Sequence, residues 1–208
     1  MTQYFNIHPD NPQSRLLEQI ADMLRKGAVV ALPTDSGYSL ACHLGDAAAL
    51  EKIRRIRGID DHHLMTLMCR DLSDIGQYAR VDNAQYRLLK LATPGAYTFI
   101  LEGTKELPRR ILHPKRKTLG LRVPDNRIML GVLEMLGEPL LSTTLMLPGD
   151  EAPLSDGWSI KERLQPQLDL VVEGGWCGTE PTTVIDLCAV PPTVLRRGHG
   201  LLAPLGLE

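Results

Sequence analysis

Cysteine, aromatic residues and net charge are all scarce in this 208-residue chain. Its four cysteines, Cys42, Cys69, Cys177 and Cys188, are far apart, and none forms a Cys-x-x-Cys pair. That spacing argues against a zinc site or a redox dithiol. Cys42, Cys69 and Cys188 stand in apolar runs and read as small buried hydrophobes. Aromatics are 4 % of the chain, so the core must be built from Leu, Val, Ile, Met and Ala. The formal net charge of −2 gives the whole molecule no pull on nucleic acid, and such binding would need a local patch. No stretch approaches the ~18 consecutive apolar residues of a membrane span, so no membrane partner is expected. The opening residues have no basic region before an apolar run, so no signal peptide is expected, and a reducing cytoplasm is the natural compartment. Gly-x-x-x-x-Gly-Lys-Ser/Thr and Gly-x-Gly-x-x-Gly are both missing, and Gly174-Gly175 is only a turn signal. His62-His63, after Asp60-Asp61, reads as an exposed loop and not a metal site, because adjacent side chains point different ways. No metal and no tightly bound cofactor is expected.

What is present is an ordinary globular composition, 43 % apolar and 23 % charged. Residues 1–13 carry Pro9 and Pro12 and read as an extended lead-in to a domain covering 14–208. Ser14 can cap a helix through Arg25, with Leu16, Leu17, Ile20, Met23 and Leu24 on one face and Gly27 as its stop. Asp46 caps a second helix with Leu50, Ile53 and Ile56 inward and Gly58 at its end. Asp71 and Asp82 start two short helices, Asp125 or Asn126 starts one through Leu136, and residues 160–164 form a brief last one. Strands are expected at 28–32, 64–69, 97–101, 119–123, 140–144, 168–172, 182–187 and 193–196. Helices and strands interleave, which predicts one α/β domain, with helices packed on a mixed sheet.

Several polar groups sit where a buried sheet would not ordinarily hold them. Pro33-Thr34-Asp35-Ser36-Gly37-Tyr38-Ser39-Leu40 puts a dense polar loop between two strand-like pieces. From these residues alone the stretch serves equally as a turn or as a ligand site at a strand end. Arg122 lies inside Leu119-Gly120-Leu121-Arg122-Val123, where an unpaired charge is costly, so it needs an anionic partner. Arg196 ends another strand, Thr98 lies within one, and Ser142-Thr143-Thr144 ends a third. Thr34, Tyr38, Thr98, Thr143, Arg122 and Arg196 together have the makings of one cationic, hydroxyl-rich cavity suited to a small hydroxylated or carboxylated ligand and an anionic nucleotide. No nucleophile with an adjacent base and no carboxylate pair stands out, so catalytic residues are not identified and chemistry by positioning and charge neutralisation fits better. Segment 105–127 holds eight Lys and Arg against two acids, and Lys52, Arg54, Arg55 and Arg57 form a second cluster. On one face, these would grip RNA backbone through Arg54, Arg55, Arg109, Arg110, Lys115, Arg116 and Lys117.

Taken in order, the motifs resemble those of the YrdC family, which makes L-threonylcarbamoyladenylate from threonine, bicarbonate and ATP for tRNA modification. Residues 33–40 resemble its Pro-Thr-Asp/Glu-Thr-x-Tyr-Gly-Leu signature. Pro94-Gly95-Ala96-Tyr97-Thr98 is similar to its Pro-Gly-x-x-Thr, and Arg122-Val123-Pro124-Asp125 to its Arg-hydrophobic-Pro-Asp. Pro181-Thr182-Thr183-Val184-Ile185-Asp186 and Leu195-Arg196-Arg197-Gly198 follow as its Pro-Ser-Thr-Val-hydrophobic-Asp and Leu-Arg-x-Gly. The matches span 33–198 and are most similar to the YciO branch of bacterial paralogues. The resemblance implies a YrdC/RibB-like twisted mixed sheet with a concave, positively charged face, and a YrdC-like domain without the extra C-terminal domain of some relatives. It implies that Thr34 and Tyr38 line an amino-acid end, that Arg57, Arg122 and Arg196 meet phosphates or carboxylates, and that Thr98, Thr143 and Thr182 belong to the same substrate and nucleotide site. It further implies threonine, an adenine nucleotide and tRNA or double-stranded RNA as partners, with ATP and Mg entering as substrate if the reaction is synthase-like.

Two departures bear on the reaction. The family's Lys-x-Arg-Pro is here Arg57-Gly58-Ile59-Asp60, and its Ser-Ala-Asn with x-Ser-Gly is Thr144-Leu145-Met146 with Leu147-Pro148-Gly149. A lost cation and a lost amide each remove hydrogen bonding worth roughly 1–3 kcal/mol, together on the order of 100-fold or more in transition-state stabilisation. Two readings follow. One is an enzyme of threonylcarbamoyl-adenylate or threonylcarbamoyladenosine-tRNA chemistry with altered activity, synthase-like or running towards hydrolysis or reversal. The alternative is a double-stranded RNA or tRNA binder without catalysis.

Overall fold

The computed structural model describes residues 1–207, which form an α/β fold. In chain order the strands are β1 (Gln3–Asn6), β2 (Val30–Thr34), β3 (Gly37–His43), β4 (Thr66–Met68), β5 (Tyr97–Glu102), β6 (Thr118–Arg122), β7 (Leu140–Thr144), β8 (Leu170–Glu173), β9 (Thr183–Asp186) and β10 (Thr193–Arg196). The helices are α1 (Ser14–Arg25), α2 (Ala47–Arg57), α3 (Leu72–Tyr78), α4 (Asn83–Ala92), α5 (Arg127–Leu136) and α6 (Gly157–Leu164). One mixed ten-stranded sheet runs β1-β8-β2-β3-β7-β4-β6-β5-β9-β10. Among the described residues, no helix is long and apolar enough to cross a membrane.

Strand alternation divides the side chains between two faces. On one, Leu40, Cys42, Leu67, Phe99, Leu121, Leu141 and Ile185 pack with Leu50 and Ile53 of α2 and Leu89 of α4. On the other, α1 and α5 cover Val30, Leu32, Ala41, Leu140, Leu170 and Val172. Those two helices cover only the β8-β2-β3-β7 side of that face. Beyond Met68 of β4, which those helices still reach, the face over β4, β6, β5 and β9 is left open, lined by Thr66, Gly120, Arg122 and Thr98 together with Ile100 and Val184. The missing helical cover is what creates the concavity.

Several elements differ from expectation. The stretch 33–40 is not a loop between strands. It is a tight antiparallel hairpin in which Thr34 pairs with Gly37, so only Asp35 and Ser36 form the turn. Gly37 holds φ +111°, a conformation that side chains resist. The lead-in contains β1, a parallel partner of β8, held by Thr2 Oγ1 donating to Leu168 O at 2.7 Å and Ile7 N to Glu173 O at 2.8 Å. Ser14 is the first helical residue; the cap position is Gln13, without a side-chain cap bond. The strand expected at 64–69 is only Thr66–Met68, and α6 begins at Gly157 because Asp156 caps it through Ser159 N at 2.8 Å. Cys188 is exposed: its apolar run lies in a bend after the short β9.

Candidate functional site

The open sheet face holds a cavity of about 490 Å³. Its floor comes from β4, β5, β6, β7 and β9, and its rim from Arg57 at the end of α2, His63 of the loop after α2, the 145–156 loop and Arg196 of β10. Gly120 keeps the floor low: a Cβ there would sit 2.9 Å from Thr98 Cγ2. Thr98 and Thr182 hydroxyls are 2.9 Å apart and buried. Arg196 donates from Nε to Thr182 O and from an η-nitrogen to Thr182 Oγ1, both at 3.0 Å. Gly198 makes that anchorage possible, since a side chain at this position would collide with the Pro181 carbonyl.

Three arginines border the cavity in different electrical states. Arg122, 5 % exposed, is ion-paired through an η-nitrogen with Asp35, whose other oxygen accepts from Asp125 N at 3.0 Å. Burial pulls the Arg122 guanidinium down to about 9, and its Nε is left without a partner. The anion demanded by Arg122 is therefore a carboxylate of this chain. Arg57 and Arg196 form no ion pair among the described residues, and burial lowers both. Arg57 Nε is buried and unpartnered. A half-buried cation and an exposed one at the rim, bordering a hydroxyl-lined space, are an anion-binding arrangement.

Of the sequence-selected residues, Arg57, Thr98, Arg122, Thr143, Thr182 and Arg196 border this cavity. Thr143 pairs with Leu40, so by alternation its side chain belongs to the opposite layer, and Ser142 and Thr144 are the β7 hydroxyls on the cavity side. Thr34 lies elsewhere. It borders a second cavity, of about 420 Å³, with Asp35, Ser36, Trp176, Cys177, Gly178, Thr179, Glu180 and His199. The two spaces meet at Thr179. Thr34 Oγ1 donates to Gly37 O at 2.6 Å and accepts from Ser36 N at 3.1 Å, so it mainly closes its own hairpin. Tyr38 borders neither cavity. Its buried hydroxyl accepts from Gly174 N at 3.1 Å and faces Gly175 O at 3.2 Å and Glu173 at 3.5 Å, tying the hairpin to the end of β8.

The basic residues are partly neutralised. Arg54 is held by Glu51 at 2.6 Å and Asp61 at 2.8 Å, and Arg116 by Asp186 at 2.5 Å. Arg110 donates to Gly45 O at 3.0 Å and Lys117 to Pro114 O at 2.5 Å. Arg55, Arg109 and Lys115 are exposed. Arg57 alone of these clusters reaches the large cavity besides Arg122. His63 lies in an exposed loop, as the sequence reading has it, and that loop also reaches the cavity wall; Glu151 and Thr66 on that wall were missed. Only Thr66 left a signal, a hydroxyl inside an apolar strand. Among the described residues, no group of three or more His, Cys, Asp or Glu is placed to hold a metal ion.

Comparison with known proteins gives a consistent picture. The family profile of Sua5, YciO and YrdC proteins, described as telomere recombination, matches residues 22–198. YciO of Escherichia coli strain K12 is 56 % identical over 204 residues, covering 98 % of this chain and 99 % of that protein. The crystal structure of E. coli YciO superposes with a TM-score of 0.94 over 98 % of this chain and 99 % of that one. The threonylcarbamoyl-AMP synthase of Mus musculus is 32 % identical over 206 residues, covering 88 % of this chain and 71 % of the synthase. The crystal structure of Pyrococcus abyssi Sua5 complexed with L-threonine shares the fold at a TM-score of 0.87 and 24 % identity, over 95 % of this chain and 58 % of Sua5.

Proposed function

The chain belongs to the Sua5–YciO–YrdC family, and from that premise we propose that its large cavity binds a threonylcarbamoyl-adenylate or its adenine-nucleotide and threonine precursors, with an activity altered from that of the synthases. The observation that carries this reading is the pair Arg57 and Arg196, neither with a carboxylate partner among the described residues: Arg57 is half-buried with an unpartnered Nε, and Arg196, exposed at the rim, is held in place by Thr182. An adenylate offers a phosphate to one and a carboxylate to the other. The bordering hydroxyls of Thr66, Thr98, Ser142 and Thr144 suit ribose and amino-acid oxygens. The rim supports altered activity. Ile59 packs against the core and Met146 faces the cavity, so apolar atoms stand where an extra cation and an amide would steady developing charge.

Titration calorimetry with ATP and AMP, with and without threonine, tests the binding. Micromolar to millimolar affinity is expected, with Arg196→Ala weakening it by about 10- to 100-fold, the worth of a charge-assisted hydrogen bond. Absence of binding to any of the three ligands sinks the proposal. Turnover with threonine, bicarbonate, ATP and Mg, and separately with threonylcarbamoyladenosine-tRNA, then decides the direction of the chemistry.

A further inference from the structure

His63 follows α2 in a short loop that returns to β4, and its side chain borders the large cavity on the same wall as Arg57. Among the described residues it is the cavity's one imidazole, and Glu151 its one carboxylate. The charged groups around it are Arg54 and Arg57 of α2 and Asp60 of the same loop. Arg122, Arg196 and Glu151 line the same cavity. His63 is exposed, and neither ring nitrogen is engaged in a side-chain hydrogen bond among the described residues, so the imidazole is free to meet a ligand or water in the cavity.

We propose that His63 is a general base of this cavity, activating a water against the carbamoyl–phosphate anhydride of an adenylate whose phosphate Arg57 holds. This rests on the nucleotide-binding reading above. In the step, His63 takes one proton of the water while the water oxygen bonds to the carbamoyl carbon. The bond from that carbon to the bridging phosphate oxygen breaks, and AMP leaves with the electron pair. The carbamic acid formed keeps the water oxygen and the water's second proton, which it gives up to solvent to become the carbamate, and the proton on the imidazole likewise passes to solvent. Arg57 offsets the charge on the leaving phosphate. Burial, together with Arg57, lowers the imidazole from its ordinary 6.5, which keeps it in the neutral, proton-accepting form at pH 7.

The test uses the full chain and threonylcarbamoyl-adenylate generated by an authentic synthase, with AMP release followed between pH 5 and pH 8.5. Wild type should release AMP at a rate that rises to a plateau, with its inflection below the ordinary imidazole value. His63→Gln, which keeps size and polarity, should lose about 100-fold or more in rate and lose the inflection, while binding AMP as wild type does. Glu151→Gln should keep the inflection. A His63→Gln protein with wild-type rate or wild-type pH profile overturns the proposal, as does wild type that binds AMP but releases none from the adenylate. Wild type that binds no AMP overturns the nucleotide reading instead. A thermal melt of His63→Gln matching wild type separates lost chemistry from lost fold.

Discussion

Arg122 shows how a single residue can be both correctly singled out and locally misread. A cation in an apolar strand needs an anion, and the structure supplies Asp35 from the β2–β3 turn, with β7 and β4 between β3 and β6 in the sheet. The pair is buried, so removing one member leaves an uncompensated charge. Asp35→Asn should destabilise the fold by about 3–5 kcal/mol. Urea denaturation would show it as a lower midpoint at unchanged slope. Tyr38 makes the complementary case. Its hydroxyl is fully engaged by the Gly174–Gly175 turn and Glu173, and burial pushes its phenol up. Tyr38→Phe should cost about 1–3 kcal/mol through the lost partners, yet leave AMP affinity unchanged in the same calorimetric titration, since Tyr38 reaches neither cavity. Composition and strand position exposed both residues as unusual. Which way a hydroxyl points depends on the parity of its strand, and one position of slip in 142–144 moves the cavity-facing role from Thr143 to Ser142 and Thr144.

At the scale of elements, most helices were legible because their ends carry local chemistry. Asp46, Asp71, Asp82 and Asn126 each accept backbone bonds at a helix start, and Gly58 and Gly137 each close a helix in a left-handed conformation. The β2–β3 hairpin was not legible. Its two-residue turn is Asp35-Ser36, without the Asn-Gly or Asp-Gly pair that advertises such turns. Strand β1 was hidden for another reason: its partner lies more than 160 residues away, at β8. The element that shapes the cavity rim is the 145–156 loop, and two contacts fix it. Gly58, at φ +63°, lies so close to Pro148 that a Cβ would sit 2.8 Å from its Cγ. Arg163 of α6 holds Asp150 through two bonds of 3.0 and 2.9 Å. The Arg163 hydrogen bond keeps the Asp150 carboxyl below its ordinary 3.8. A carboxylate lowered in the folded state adds stability that is present above its unfolded value and lost as pH falls through the folded one. The pair sits near the surface and should contribute under about 1 kcal/mol to global stability. Its local effect should be larger: Arg163→Ala is expected to speed amide exchange across 146–154 and to weaken AMP binding several-fold at neutral pH, with exchange by mass spectrometry as the measurement. In wild type the same loosening should appear only below about pH 4, because above that the Asp150 carboxylate is ionised.

The whole molecule is a sheet whose one face is only half covered, and that asymmetry separates the two functional readings. The nucleotide reading places charge recognition inside the concavity, on Arg57 and Arg196, which are partly desolvated. The RNA reading places it on the surface, on Arg55, Arg109 and Lys115, with Arg54 and Arg116 already engaged by acids of this chain. Salt screens these two arrangements unequally. Exposed charges about 10 Å or more apart are largely screened at 0.1 M ionic strength, whereas recessed ones are screened far less. RNA binding through several phosphates should fall steeply between 50 and 200 mM salt, with a logarithmic slope close to the number of phosphates neutralised. AMP in the cavity should lose about tenfold or less over the same range. The variants divide the same way. Arg109→Ala with Arg110→Ala should flatten the RNA slope by about two and leave AMP affinity intact, whereas Arg196→Ala should do the reverse. The formal net charge of −2 sharpens the contrast, because the rest of the surface offers no general attraction for a polyanion. Saturating AMP should also stabilise the fold by about 2.7 kcal/mol at one hundred times its dissociation constant, or roughly 5–10 °C for a domain of this size. A melting shift that appears with AMP and survives 200 mM salt would place binding in the concavity. A shift seen only with RNA and abolished by that salt would move recognition to the basic surface and remove the nucleotide reading.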